Sequence, residues 1–178
     1  MQSNLCRTIY ENEFMNISFY VLSESKAQDF LGFICQLTQT ALNKSTQSLL
    51  ILIDSDDELL STLDEALWSH DAASFIPHKR LLDATIADTD DVNETVDAPV
   101  KNETLAPVLL GNYMPADFKG IVLNTTIHPV NTFMAATNNA QPTRVLELIK
   151  PDPNSMQEGR HKYKAYQQLG YELTHFKV

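Results

Sequence analysis

The chain has 178 residues, of which 43% are hydrophobic and 8% aromatic, a composition that suits one globular domain with a sizeable core. Its formal net charge of −10 repels phosphate backbones, so direct nucleic-acid binding is not expected. No apolar run could span a membrane, no signal peptide is recognisable, and Cys6 and Cys35 make no disulfide framework, so we expect a cytoplasmic protein without membrane contact.

The charge is unevenly distributed along the chain. Residues 83–103 contain seven carboxylates and one base, Lys101, which gives this segment a net charge of −6. They show no apolar period, so we predict a flexible acidic insertion. Residues 160–178 contain four bases and one acid, Glu172, for a net charge of +3. A basic C-terminal surface is therefore expected on an acidic protein.

The first third of the chain predicts a strand, a helix and a second strand. Residues 1–14 have no clear period and are interpreted as an N-terminal extension of uncertain order. Residues 16–22, NISFYVL, are typical of a strand, and residues 26–42 repeat apolar side chains at helical spacing. Residues 48–53, SLLILI, indicate a strand that is buried on both faces, as in a parallel sheet. The order predicts a βαβ unit.

Residues 54–68 predict a second helix with a defined start. Ser55 and Glu58 have the spacing of a capping box, in which each side chain bonds the backbone at the other's position. Trp68 ends this helix on its apolar side. In the following SFIPH motif, Phe75 and Ile76 predict a short strand that Pro77 terminates.

After the acidic insertion the pattern again alternates between strands and helices. We predict strands at 107–110, 120–123, 144–149 and 171–178, a weak helix at 131–136 and a turn at 138–142. The last helix is predicted to open at Asn154 or Ser155, with Ser155 and Glu158 as a capping box and Gly170 as the C-terminal cap. Residues 15–178 therefore predict one three-layer α/β domain around a mostly parallel sheet.

Motifs for phosphate binding or catalysis are missing. The five glycines form neither GxGxxG nor GxxxxGK[ST], so no phosphate loop is predicted. The five histidines have no zinc-ligand spacing, and His78 is interpreted as a structural hydrogen-bonding residue. No cofactor is expected.

One acidic cluster, Asp54, Asp56, Asp57 and Glu58, directly follows a buried strand, where carboxylates can hold magnesium. Asp117 and Glu147 are the other acids available to such a site, although neither makes a motif. The alternative function is therefore a metal-dependent phosphoesterase that uses Asp54 and Asp57. Helix capping explains the same cluster and is preferred.

Two longer motifs resemble a known family. Residues 63–78, LDEALWSHDAASFIPH, and residues 160–173, RHKYKAYQQLGYEL, are similar to signatures of the chi subunit family of bacterial DNA polymerase III. The resemblance extends over about residues 15–178. It implies an α/β domain that resembles nucleotide-binding folds, and a non-catalytic subunit of the replicase clamp-loader assembly. It also implies two partners, the psi subunit and the acidic C-terminal tail of single-stranded DNA-binding protein.

The resemblance also implies site residues. Arg160, Tyr163 and Lys164 are expected to bind the tail, and Trp68 and Phe75 are expected at or near the psi contact. Arg160 and Lys164 are four residues apart and so share one helix face with Tyr163. A basic surface near a helix end is the alternative interpretation. Met156 stands one turn before Arg160, where a lysine would have favoured an anionic ligand.

Overall fold

The computed structural model describes residues 15–54, 57–70, 76–81 and 107–178. The predicted extension 1–14 and the acidic insertion 83–103 lie outside the described residues, as do Ser55, Asp56 and Phe75. Among the helices that the structure describes, none has the length and the apolar character needed to cross a bilayer.

The described strands form one sheet of seven, and every pair in it is parallel. The strand order is β3-β4-β2-β5-β6-β1-β7. The strands are β1 (Asn16–Val21), β2 (Leu49–Leu52), β3 (His78–Arg80), β4 (Val108–Gly111), β5 (Ile121–Asn124), β6 (Arg144–Ile149) and β7 (Glu172–Lys177). The predicted parallel α/β architecture is confirmed.

Helices cover both faces of this sheet and make it the middle of three layers. They are α1 (Glu24–Gln28), α2 (Phe30–Lys44), α3 (Asp57–Ser69), α4 (Val130–Ala135) and α5 (Pro153–Gln168). One buried cluster joins α2 and α3 to Leu49 and Ile51 of β2, and the other joins α4 and α5 to Leu50 and Leu52. The unbroken apolar run of β2 therefore contributes side chains to both cores, as expected for a strand buried on both faces.

Three predicted element boundaries were wrong for local reasons. The first predicted helix is divided at Asp29, whose φ of −103° and ψ of 52° are not helical. Ile76 is not in a strand, because its backbone N–H donates to Leu67 O at the end of α3, 3.1 Å away. β3 begins only after Pro77, at His78.

The start of α5 lies earlier than predicted. Asp152 is the N-cap, and its carboxylate accepts from Ser155 N at 2.8 Å and from Ser155 Oγ at 2.7 Å. Pro153 then occupies the first helical position, where a missing N–H costs nothing. Gly170, with φ of 77°, follows the helix end as the predicted glycine cap.

Candidate functional site

An open pocket of about 310 Å³ lies between α5 and strands β1, β6 and β7. We call it the α5 pocket. Its lining residues are Phe19, Val21, Ile149, Met156, Gly159, Arg160, Tyr163, Lys164 and His175. The three side chains predicted to bind the tail, Arg160, Tyr163 and Lys164, therefore share one pocket. Neither cation forms an ion pair with a carboxylate of the described residues.

Three aromatic rings form the apolar side of the α5 pocket. Phe19 and His175 are register partners on β1 and β7, and their rings stack with centroids 5.2 Å apart and planes at 16°. The Tyr163 ring of α5 lies 5.1 Å from His175 and 5.8 Å from Phe19. Such a wall suits a flat or branched apolar side chain.

The pocket floor depends on a close approach of α5 to β6. A Cβ atom added to Gly159 would lie 2.5 Å from Ile149 Cδ1, so no larger residue fits without movement of the Ile149 side chain. Glycine at this position allows the helix to sit directly on the strand. This contact therefore sets the depth of the pocket between Met156 and Tyr163.

A buried polar network lies beneath α5 and anchors it to the sheet. Lys162 Nζ donates to Glu147 Oε2 at 2.7 Å and to Thr126 O at 2.5 Å. Tyr166 Oη donates to Glu147 Oε1, and Asn124 Nδ2 donates to the same atom at 2.9 Å. Glu147 is fully buried and its carboxylate is satisfied on both oxygens. The network therefore fixes the rotation of α5 about its axis, and with it the outward direction of Arg160 and Lys164.

Burial is the main cause of the shifted pKa values of Glu147 and Tyr166 in this network. It raises the pKa of Glu147, and the opposing effects of Lys162, Tyr166 and Asn124 do not cancel the rise. Burial and the adjacent Glu147 together raise the pKa of Tyr166, so the phenol keeps its proton and remains a donor. Lys162 is the one basic side chain that contacts Glu147 in the described network.

The buried ion pair corrects the predicted surface charge. Four bases in residues 160–178 gave a net charge of +3, but Lys162 is 5% exposed and paired with Glu147. Arg160, Lys164 and Lys177 are exposed, and Glu172 opposes them, so three minus one leaves a surface charge of +2. This surface therefore carries less positive charge than the sequence predicted.

A second cluster of polar and aromatic groups lies at the end of α3. His78 Nε2 contacts Asp64 Oδ1 at 2.9 Å and its Nδ1 contacts Ile76 O at 2.6 Å, which confirms its structural role. Arg80 donates to Asp64 Oδ2 at 2.9 Å. The Trp68 ring lies 5.1 Å from the His78 ring.

Trp68 is exposed in this cluster. Its residue exposure is 55%, whereas Leu63 and Leu67 are fully buried. The prediction that it lies on the apolar side of the helix was wrong, because five positions past Leu63 correspond to about 140° around the helix. It is a large apolar side chain on the surface of the described chain.

A family model matches the chain along most of its length. The family described as DNA polymerase III chi subunit, HolC, matches residues 14–174. The chain belongs to this chi subunit family. It is therefore assigned to DNA replication, in association with the DNA polymerase III complex.

A curated relative agrees with the chi assignment. The DNA polymerase III subunit chi of Pseudomonas aeruginosa is 27% identical over 161 residues, which cover 88% of this chain and 92% of the relative. The chi match includes the whole of α5 and the first half of β7, and hence every residue of the α5 pocket except His175.

Among the acids considered for the alternative function, those with described side chains include Asp54, Asp117 and Glu147, and these do not form a metal-ligand cluster. Asp54 is exposed, and the side chain of Asp57 lies outside the described part. Glu147 is engaged by Lys162, and Asp117 accepts from Asn139 at 2.7 Å. Within the described ranges, no three His, Cys, Asp or Glu side chains are placed to hold a metal ion.

Sequence reasoning missed Phe19, His175 and Lys162 as site residues. Phe19 was seen only as a strand residue, and the parallel pairing of β1 with β7 joins residues far apart in sequence. The alternation of side chains along each strand would have placed Phe19 and His175 on definite faces, but not against each other. Nothing in the sequence distinguished Lys162 from its neighbours.

Proposed function

We propose that the chain links the clamp loader, through the psi subunit, to single-stranded DNA-binding protein, whose acidic C-terminal tail occupies the α5 pocket. The proposal rests on one observation: a pocket with an aromatic wall carries two cations, on an acidic protein, that pair with no carboxylate in the described part of the chain. An acidic peptide that ends in an aromatic residue needs that combination of donors and apolar surface.

The chemistry of each side chain suggests its role. Arg160 can bind a carboxylate through two parallel hydrogen bonds, because the guanidinium group is a planar fork. Lys164, one turn further along α5, offers a mobile point charge. The aromatic wall of Phe19, Tyr163 and His175 receives the terminal apolar side chain. Met156 adds apolar surface at the rim, where it is 39% exposed.

Tail capture is tested by fluorescence anisotropy with a labelled acidic peptide that ends in Pro-Phe, at two salt concentrations. Arg160→Ala should weaken binding by about 1.5–3 kcal/mol, the range for a hydrogen bond to a charged group. Lys164→Ala should cost no more than about 1 kcal/mol, and less at high salt. Removing the terminal Phe should weaken binding at both salt concentrations, because apolar burial is not screened.

Lys119→Ala is the matched control, since Lys119 is exposed but lies outside the α5 pocket. It should bind like the wild type. If Arg160→Ala also binds like the wild type at both salt concentrations, the tail is bound elsewhere.

We propose that psi contacts the surface around Trp68, at the end of α3 beside His78, together with Phe75. An exposed tryptophan beside a fixed histidine is the type of side chain that anchors protein interfaces. Trp68→Ala should weaken psi binding by about 2 kcal/mol or more, the usual threshold for an interface hot spot. Isothermal calorimetry with purified psi measures this.

Circular dichroism must show that the Trp68→Ala variant is folded. Leu169→Ala is the control, because Leu169 is 52% exposed but lies at the end of α5. Equal psi affinity of wild type and a folded Trp68→Ala variant would remove Trp68 from the contact.

A further inference from the structure

A second groove lies on the opposite face of the sheet from the α5 pocket. It has a volume of about 510 Å³ and runs between α2 and strands β1, β6 and β7. We call it the α2 groove. Its lining residues are Tyr20, Leu37, Thr40, Ala41, Lys44, Ser45, Gln47, Ile121, Thr143, Arg144, Leu146 and Phe176.

The α2 groove and the α5 pocket are built from alternate residues of the same two strands. Phe19 and His175 are register partners that stack on the α5 side, and the next pair, Tyr20 and Phe176, are register partners that stack on the α2 side. The Tyr20 and Phe176 rings are 5.2 Å apart with planes at 21°. Since successive side chains of a strand point to opposite faces, one pair of strands provides an aromatic wall on each side.

The α2 groove also has the same charge pattern as the α5 pocket. Among the described residues that line it, Lys44 and Arg144 are the two charged ones, both are exposed, and none is a carboxylate. Neither forms an ion pair with an acid of the described residues, and Arg144 donates only to Ser18 Oγ, at 3.1 Å. Lys44 ends α2, where a cation suits the helix dipole. Arg144 begins a strand, where the dipole gives no reason for a cation.

Solvent reaches the apolar part of the groove. Phe176 is 39% exposed, and the partly buried Tyr20 ring meets Phe33 of α2 edge-on at 6.4 Å. Exposed apolar surface of this kind is typical of a site that binds another molecule.

We propose that the α2 groove is a second binding site for an acidic peptide segment of another protein, with an aromatic or branched apolar side chain against Tyr20 and Phe176 and carboxylates at Lys44 and Arg144. Charge complementarity selects this occupant: the groove is cationic on a chain whose net charge is −10. The same net charge disfavours a nucleic-acid strand, whose affinity depends on many phosphate contacts.

The test uses the labelled acidic peptide ending in Pro-Phe, with the full chain carrying Arg160→Ala and Lys164→Ala so that the α5 pocket is weakened. Residual binding should remain, and adding Lys44→Gln and Arg144→Gln should reduce it roughly tenfold or more, because two charge-assisted contacts are lost. Phe176→Ala, which keeps both charges, should also reduce it. Lys119→Gln is the control for a general loss of positive charge and should leave it unchanged.

A ¹⁵N-labelled sample of the same variant locates the peptide. Backbone amides of Tyr20, Arg144 and Phe176 should shift on titration, whereas those around Lys119 should not. Failure of these amides to shift at millimolar peptide, or residual binding that is indifferent to Lys44→Gln and Arg144→Gln, overturns the proposal.

Evidence for either of two other occupants of the α2 groove would also overturn the proposal. If peptide binds the groove only after residues 84–103 are deleted, the acidic segment of this chain is the occupant. If an oligothymidylate shifts the same amides and the peptide does not, the ligand is a nucleic acid. None of these results affects the proposed function, because tail capture is judged separately, in a chain with an intact α2 groove, from the effects of Arg160→Ala, Lys164→Ala and removal of the terminal Phe.

Discussion

Replacing Lys162 with methionine should destabilise the fold, although it removes a charge that the sequence suggests is on the surface. The Lys162 side chain is 6% exposed and that of Glu147 is 0% exposed, with Nζ and Oε2 2.7 Å apart. Lys162→Met leaves the Glu147 carboxylate buried without its cation, although the donors from Tyr166 and Asn124 remain.

The expected cost follows from that burial. Removing one partner of a buried ion pair typically costs about 3–5 kcal/mol, and the two remaining donors place this case near the lower end, at about 3 kcal/mol. For a chain of this size, about 2–4 °C is lost per kcal/mol, so the midpoint should fall by roughly 6–12 °C. Lys164→Met, two residues away on the same helix but exposed, should change stability by no more than about 0.5 kcal/mol.

The pH dependence of the Lys162→Met variant should have a definite sign. Burial raises the pKa of Glu147, and this variant removes the main group that opposes the rise. A carboxyl whose pKa is higher in the folded state loses stability as pH rises through that pKa. The deficit of Lys162→Met against the wild type should therefore shrink at acid pH.

Urea unfolding followed by circular dichroism, at several pH values, measures these differences. Adding Glu147→Gln to Lys162→Met should restore about 1–2 kcal/mol, since the amide oxygen can still accept from Tyr166 without a buried charge. A cost below about 1 kcal/mol for Lys162→Met would show that Glu147 is not held as a buried charge, and the reasoning would be wrong.

Three further substitutions test the geometry around the sites. Gly159→Ala should destabilise by about 1–3 kcal/mol and weaken peptide binding in the α5 pocket, because the new methyl group would meet Ile149 Cδ1 at 2.5 Å. Urea unfolding and anisotropy measure the two effects, and an unchanged variant would mean that the Ile149 side chain turns away from the new methyl group. Gly170→Ala should cost about 1 kcal/mol in urea unfolding because φ is 77°, and a cost near zero would mean that the turn relaxes. The hydrogen bond from Arg80 lowers the pKa of Asp64. The ionised Asp64 carboxylate therefore stabilises the fold above the ordinary carboxyl pKa range, and this stabilisation is lost as pH falls through the lowered pKa. Asp64→Asn should accordingly have a lower melting temperature than the wild type at neutral pH and the same melting temperature in acid. A difference that persists in acid would exclude a contribution from the ionised Asp64 carboxylate.

Much of the fold could be predicted because local patterns and burial agree. Strand β6 was predicted with its observed bounds, since an apolar run after a turn signal can form little else. The apolar run of β2 indicated burial on both faces, and its alternate residues do lie in two separate cores. The errors at Asp29, Pro77 and Asp152 are boundary errors, where a single hydrogen bond or one dihedral angle decides the outcome.

The residues proposed to bind the tail were predicted together because they are local. Arg160, Tyr163 and Lys164 lie within two turns of one helix, so their shared face follows from helical geometry. The rest of the α5 pocket is non-local. Phe19 and His175 meet only because β7 pairs in parallel with β1, and no short-range signal carries that pairing.

By itself, the sequence determined the order of helices and strands, the parallel α/β class and the composition of the basic helix face. Only the tertiary structure decided which lysine of α5 is a surface charge. Lys162 and Lys164 are two residues apart, and a helix turns by about 200° between them, so one must face the sheet if the other faces solvent. The residue that faces inward was decided by a carboxylate on β6, Glu147, fifteen positions away in the sequence and 2.7 Å away in space.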